Sequence, residues 1–257
     1  MEEYIVITGA SSGIGYEMAN QLARQKKNLI LVARTEKKLQ QMQSEFTQEH
    51  GIAVQYYVAD LADVNAAIAF HRAVRHENYL VTHLVNNAGV GNYGSFTETS
   101  LDEELSMIQL NISSLVTLSK LFAQDMVKRK YGRIMNIASV VAFLPMPYFS
   151  VYSATKAFVK AFSETLSAEL EGTGVDILSL YPGTVDTAFT TPGMQTTNLH
   201  KTKPMHPKLV ATQAVEHLLN GKGKNVVGFQ NWFNTKLPNF VPDGIMMKIK
   251  KNLASQA

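Results

Sequence analysis

Of the ten tyrosines in this 257-residue sequence, only Tyr152 is followed by a lysine four positions later, Lys156. Residues four apart share one face of a helix, so a helix through this stretch turns both side chains toward the same space. A phenol with a pKa of about 10 is a poor acid or base at neutral pH, and a neighbouring ammonium favours the phenolate and lowers that value. The pair suits proton transfer at an oxygen, although Tyr and Lys at this spacing also decorate ordinary surfaces. A second feature is Thr8-Gly9-Ala10-Ser11-Ser12-Gly13-Ile14-Gly15, between an apolar run and a helical pattern. Its glycines permit a tight turn and let backbone approach a pyrophosphate, and the amides and dipole of the following helix favour an anion. The spacing is Gly-x3-Gly-x-Gly rather than the dinucleotide fingerprint Gly-x-Gly-x-x-Gly. Taken alone it reads equally as a simple turn.

Both features need a scaffold that brings them together, and the hydrophobic periodicity supplies one. Short apolar or β-branched runs predict strands at 4–8, 29–33, 53–58, 81–85, 133–138, 175–180 and 225–227. Between them, helical spacing predicts helices at 13–26, 35–49, 63–77, 102–130, 152–171 and 207–220, the first with Ile14, Met18, Leu22 and Ala23 on one face. Alternation implies an α/β fold, a single-domain Rossmann-type doubly wound parallel sheet of about seven strands with helices on both faces. Right-handed crossovers and a switch in strand order put the ligand crevice at the carboxyl ends of the strands, beside the first. Residues 184–206, rich in Thr, Pro and Gly, form the longest stretch without periodicity and are the candidate substrate loop.

Composition narrows the function classes. With 46% hydrophobic and 18% charged residues the chain is ordinary globular material, and its length suits one domain, 1–257, with a C-terminal extension at 228–257. The absence of cysteine removes disulfides, thiolate nucleophiles and zinc–cysteine sites. Seven histidines show no metal-ligand spacing, so no metal is expected. The net charge of +3 is scattered except near the C-terminus; a phosphate-bearing small ligand explains it as well as nucleic acid, and no nucleic-acid partner is expected. No apolar run approaches the roughly 20 residues that span a bilayer. Met1-Glu2-Glu3 lacks the basic and apolar regions of a secretory signal, so the expectation is a cytoplasmic protein.

Thr8 to Gly15, Asn86-Asn87-Ala88-Gly89, Asn111, Ser139, Tyr152-x3-Lys156 and Pro182-Gly183 resemble, in content and order, the short-chain dehydrogenase/reductase family, over residues 4 to about 190. The resemblance implies a nicotinamide-dependent oxidoreductase that interconverts a carbonyl and an alcohol. It makes Tyr152 the general acid/base, gives Lys156 the nicotinamide ribose as well as the phenol, and has Ser139 orient the carbonyl. Ser139 also reads as a turn serine. Asn111 sits in a long helix where Asn is unfavourable; in the family it anchors a water bound to the lysine. For the cofactor, the resemblance implies Gly9, Ser11, Ser12, Gly13, Ile14 and Gly15 at the phosphates, with Asp60 and Leu61 at the adenine. Asn87, Ala88 and Gly89 lie beneath adenine and ribose, and Pro182, Gly183, Thr184, Val185 and Thr187 run along the nicotinamide, beside Tyr152 and Lys156. Asp60 equally suits a helix cap, and 86–89 a side chain-to-backbone turn.

The second strand ends on Ala33-Arg34. With no carboxylate to repel a 2′-phosphate and a guanidinium able to grip it, the cofactor expected is NADP(H); otherwise Arg34 is a solvated loop residue. Residues 140–149 are apolar and interrupted by Pro145 and Pro147, fit to wall a hydrophobic pocket or to pack on the loop or a sister subunit. A neutral, apolar carbonyl or alcohol is the expected substrate. Helices 102–130 and 152–171 resemble the family's dimer surface, implying a homodimer or homotetramer. The tail from Trp232 to Lys251 mixes apolar side chains with lysines; docking on the protein's own core or a neighbour is favoured over an anionic membrane because the helical stretch is short. A non-catalytic NADP-binding sensor or scaffold is the competing reading, against which the intact Asn111, Ser139, Tyr152 and Lys156 set argues. An epimerase or dehydratase needs a larger domain after the sixth strand.

Overall fold

The computed structural model describes residues 2–201 and 203–255; Met1, Thr202, Gln256 and Ala257, which fall in the expected domain and loop ranges, lie outside the described residues. The elements run β1 (Glu3–Thr8), α1 (Gly13–Arg24), β2 (Asn28–Ala33), α2 (Glu36–His50), β3 (Val54–Val58), α3 (Val64–His76) and β4 (Leu80–Asn86). They continue as α4 (Leu101–Ile108), α5 (Leu115–Lys128), β5 (Gly132–Ile137), α6 (Ser150–Glu169), β6 (Val175–Tyr181), α7 (Pro192–Gln195), α8 (Pro207–Asn220), β7 (Lys224–Val226), α9 (Phe229–Asn234) and α10 (Asp243–Ala254). All seven strands are parallel, in the order β3-β2-β1-β4-β5-β6-β7. The order reverses between β1 and β4, which opens a crevice beyond their carboxyl ends.

Strand periodicity of two divides the core into two layers. Ile5 and Ile7 of β1 pack with Met18 and Leu22 of α1, Phe46 of α2 and Leu218 of α8, while Tyr4 and Val6 face Phe70 of α3 and Phe122 of α5. Burying each such Leu, Ile or Phe contributes about 1.5–3 kcal/mol. Helices therefore cover both faces, as the alternating sequence predicted.

Three departures from the sequence pattern bear on the site. The predicted helix at 102–130 is α4 and α5 joined by a π-helical turn, Gln109–Ser114. The continuous stretch Leu101–Lys128 is long and apolar enough, by length and composition, to cross a membrane, which corrects the expectation of no such run. Its Leu118, Phe122 and Met126 pack into the core beneath β1 and β4, which accounts for that composition. Second, α6 begins at Ser150, so Tyr152 lies in its first turn. Third, the 184–206 loop contains α7, started by Thr191, whose hydroxyl accepts from the Met194 amide at 3.3 Å.

Candidate active site

The crevice floor is fixed by one hydroxyl. Thr8 Oγ1, at the end of β1, accepts from the Asn87 and Ala88 amides at 3.0 and 2.9 Å and donates to Val85 O at 3.2 Å. The Asn87 side-chain amide donates back to Thr8 O at 2.9 Å and Gly9 O at 3.3 Å. The ends of β1 and β4 are thereby tied into one platform.

The glycine turn is a cradle that side chains would fill. Gly9 has φ +63° and Gly13 φ +55°, conformations that cost most residues energy. A Cβ on Gly15 would lie 2.4 Å from Gly9 O, and one on Gly13 would lie 3.2 Å from Thr187 Cγ2. The first of these contacts is closer than a methyl tolerates. Ser12 precedes α1 without a side-chain cap, and no acid stands in the helix's first turn. An uncapped positive pole above a smooth glycine surface fits a pyrophosphate, so the residues present fit a dinucleotide.

The outlying members fall around this cradle. Arg34 is exposed just past β2 and forms no ion pair among the described residues. Asp60 Oδ1 accepts from the Ala62 amide at 3.0 Å, while Asp63 caps α3 through the Asn65 amide at 2.8 Å; the helix-cap alternative for Asp60 is thus corrected. Leu61 is buried, and its carbonyl accepts from the Ser114 hydroxyl. Gly183 lies against Asn231 of α9, and Val140 N donates to Pro182 O at 3.0 Å. Thr184 O accepts from Met205 N at 2.9 Å, and Val185 bridges to Met205, which holds the start of the loop against its end.

Asn111 sits in the π turn, where the extra residue per turn aims its side chain inward. Its Oδ1 accepts from Val90 N at 3.0 Å and its Nδ2 donates to Val90 O at 2.9 Å and Thr155 Oγ1 at 3.1 Å. These bonds answer why an Asn is stable inside a helix: every polar atom is engaged. A Cβ on Gly89 would lie 3.1 Å from Asn111 Oδ1 and 3.6 Å from Lys156 Nζ, so the platform, Asn111 and Lys156 share one wall.

Ser139, Tyr152 and Lys156 converge beyond the end of β5. Lys156 is buried and donates to Ile137 O at 2.9 Å, and its Nζ lies 5.9 Å from the Tyr152 ring centroid. Ser139 Oγ donates to Pro182 O at 3.4 Å and accepts from Val141 N at 3.4 Å. Burial pulls Lys156 down to about 8. Burial also pushes Tyr152 up to about 12, with a hydrogen bond to Ser139 pulling the other way. This reverses the direction expected from the sequence, because the ammonium is turned to the Ile137 carbonyl and desolvation outweighs it.

The 184–206 loop and the apolar 140–149 segment bring further residues to the site. Phe189, from the loop, lies 5.5 Å ring to ring from Tyr152, and a Cβ on Gly91 would lie 2.7 Å from its Cζ. Tyr93, Met146, Tyr148, Phe149 and Met194 extend the same apolar wall. Tyr93 also donates to Ala254 O at 2.8 Å, and Leu199 N donates to Leu253 O at 2.8 Å, so α10 is clasped by the loop. Asn86, Asn136 and Ser163 form a buried chain of 2.9 Å hydrogen bonds under the site; polar residues within apolar strands were the available signal for it.

Residues 3–198 match the family model for short chain dehydrogenase. An 11-beta-hydroxysteroid dehydrogenase of Pinus massoniana is 33% identical over 253 residues, 93% of this chain and 70% of its own. A very-long-chain 3-oxoacyl-CoA reductase of Anas platyrhynchos is 29% identical over 257 residues, 98% of this chain and 81% of its own. A solved short-chain dehydrogenase from Sphingobium yanoikuyae in complex with NADPH superposes with TM-score 0.81 at 27% identity, covering 95% of this chain and 97% of that one. The chain spans only 31% to 62% of the length of four other curated relatives. The family match across most of the chain, on the parallel seven-stranded sheet with its glycine cradle, establishes that this protein belongs to the short-chain dehydrogenase family of oxidoreductases.

Proposed function

We propose that the protein is an NADP(H)-dependent reductase of a bulky, apolar ketone or aldehyde, with Tyr152 as the proton donor. The observation that carries this reading is the convergence of Ser139, Tyr152 and Lys156 beside the cradle, with Lys156 held to Ile137 O at 2.9 Å. NADPH, when bound, supplies the hydride to the carbonyl carbon. The Gly9–Gly15 turn holds its pyrophosphate, Arg34 its 2′-phosphate, and 182–187 the nicotinamide side, with Asp60, Leu61 and 87–89 at the adenosine. A relative that fits this chain along nearly its whole length was solved with NADPH, which supports the cofactor reading.

A phenol held at about 12 keeps its proton across the neutral range and is therefore placed to give it to a carbonyl oxygen as charge grows there. Ser139 donates a hydrogen bond to the same oxygen, and the Lys156 ammonium steadies the phenolate left behind. Asn111 holds the Val90 backbone and Thr155, and so the lysine's wall. The substrate side is lined by Tyr93, Met146, Phe149, Phe189 and Met194, which exclude water and favour an apolar body. Relatives named for steroid and very-long-chain 3-oxoacyl substrates support that class. Exposed Leu101 and Leu105 on α4 and Phe158 on α6 support assembly as a dimer through those helices, which light scattering tests.

The deciding assay follows NADPH and NADH oxidation against apolar ketones, aldehydes and 3-oxoacyl thioesters, with Tyr152→Phe in parallel. NADPH-dependent turnover that falls roughly 10²–10⁴-fold in the variant, with NADPH binding retained, is the expected result. Unchanged turnover sinks the role of Tyr152. Tight NADPH binding without turnover in either direction moves the reading to a non-catalytic sensor.

A further inference from the structure

We propose that α9, α10 and the turn between them dock this protein on an anionic lipid bilayer. Residues 229–249 hold seven of the fifteen large hydrophobic side chains exposed among the described residues, in a stretch of twenty-one positions. Phe240 is 83% exposed and Phe229 79%; Trp232, Phe233, Ile245 and Ile249 are each about half exposed. Scattered single exposed apolar residues need no explanation, but a cluster of this density marks a contact surface.

Charge separates along the chain in the same place. Residues 221–257 contain six lysines and a single carboxylate, Asp243, a net of +5, which leaves the remainder of the chain at −2. The lysines are interleaved with the apolar groups: Lys236 Nζ sits 5.9 Å from the Trp232 ring, which stacks on Phe229 at 5.8 Å, and Lys248 lies between Ile245 and Ile249. Lysine stems lie along apolar surface while their ammonium groups reach water or phosphate, which is the composition of an interfacial segment. Aromatic rings at the rim, in particular Trp, prefer the headgroup level of a bilayer.

Docking on the protein's own core accounts for only one face of this segment. Met246 and Ala254 are buried, and the end of α10 is fixed by Tyr93 and Leu199. Ile245 and Ile249, one turn apart, stay exposed after that packing is complete. A protein partner offers a shaped apolar pocket with few charges at its centre, whereas apolar groups spaced by lysines match a fluid, anionic surface. Asn231 of α9 lies against Gly183, and 198–199 lie against α10, so both ends of the segment abut the substrate loop. A membrane face here would put the entrance for an apolar substrate at the bilayer surface.

Trp232 is the sole tryptophan of the chain, so its fluorescence reports this surface directly. The intact protein is mixed with phosphatidylcholine vesicles, pure or with about one lipid in three replaced by phosphatidylglycerol. The expected result is a blue shift of Trp232 emission and co-sedimentation with the anionic vesicles, weakened about five-fold for each of Lys248→Gln, Lys250→Gln and Lys251→Gln and further in the variant that combines all three. Phe240→Ser should abolish the shift with NADPH turnover in free solution unchanged. Neither shift nor sedimentation with anionic vesicles overturns the proposal, as does equal binding by the triple Gln variant. If Phe240→Ser instead turns a dimer into a monomer by light scattering, without vesicle binding by either form, the occupant is a second copy and the proposal is wrong. The emission shift, sedimentation and light scattering do not depend on catalysis, so their failure is separate from failure of the reductase reading.

Discussion

Lys156→Met tests whether the lysine is held as a desolvated charge. Burial pulls its pKa from 10.5 in the open chain to about 8 in the fold. Below pH 8 both states keep the proton, and the fold carries the whole cost of the buried ammonium. Between pH 8 and 10.5 the unfolded chain binds more protons than the folded one, so stability rises with pH, by about 1.4 kcal/mol per unit. From pH 8 to 9.5 this one group contributes about 2 kcal/mol of added stability. Half-buried Tyr57 and Tyr152 and buried Tyr181, each pushed up to about 12 by desolvation, act in the opposite sense: the fold keeps their protons above pH 10 while the unfolded chain releases them, and stability falls there. Measurements therefore stop near pH 9.5. The variant also leaves the Ile137 carbonyl without its ammonium partner, at a cost of about 1–3 kcal/mol that does not vary with pH. The assay is urea unfolding of both proteins at several pH values from about 7 to 9.5, comparing slopes rather than levels. The wild type should gain about 2 kcal/mol over the variant across the upper part of this range. Parallel lines would refute the desolvated-ammonium account.

Arg34→Ala should raise KM for NADPH about 10- to 100-fold, the loss of a charge-assisted hydrogen bond, and leave KM for NADH within about two-fold; equal effects on both refute contact with a 2′-phosphate. Gly91→Ala places a methyl 2.7 Å from Phe189 Cζ and must displace that ring from its place beside Tyr152. Steady-state kinetics should then show kcat/KM for the bulkiest ketones changing several-fold more than for small aldehydes, and an equal change across sizes refutes Phe189 as part of the substrate wall. Asn111→Ala strands the Val90 amide and carbonyl, so urea unfolding should show a loss of about 2 kcal/mol, together with lower turnover. Unchanged stability would show that Val90 finds water instead.

The sequence by itself determined the order of elements, the parallel sheet, the glycine turn and the shared face of Tyr152 and Lys156. Each of these rests on local rules: a period of two or 3.6, glycine where φ turns positive, and a separation of four along a helix. What lay beyond those rules was decided by the tertiary structure. A π turn inserts one residue without disturbing the apolar pattern on either side, so the inward aim of Asn111 left no trace in periodicity. Phe189 reaches Tyr152 from 37 residues away along a loop with no period at all. The chain's own loop clasps the end of α10 while leaving Ile245 and Ile249 in water. The direction of the Tyr152 shift was misjudged from sequence for the same reason: a charge four residues away is visible in the chain, but desolvation is a sum over neighbours that only the packed fold brings together.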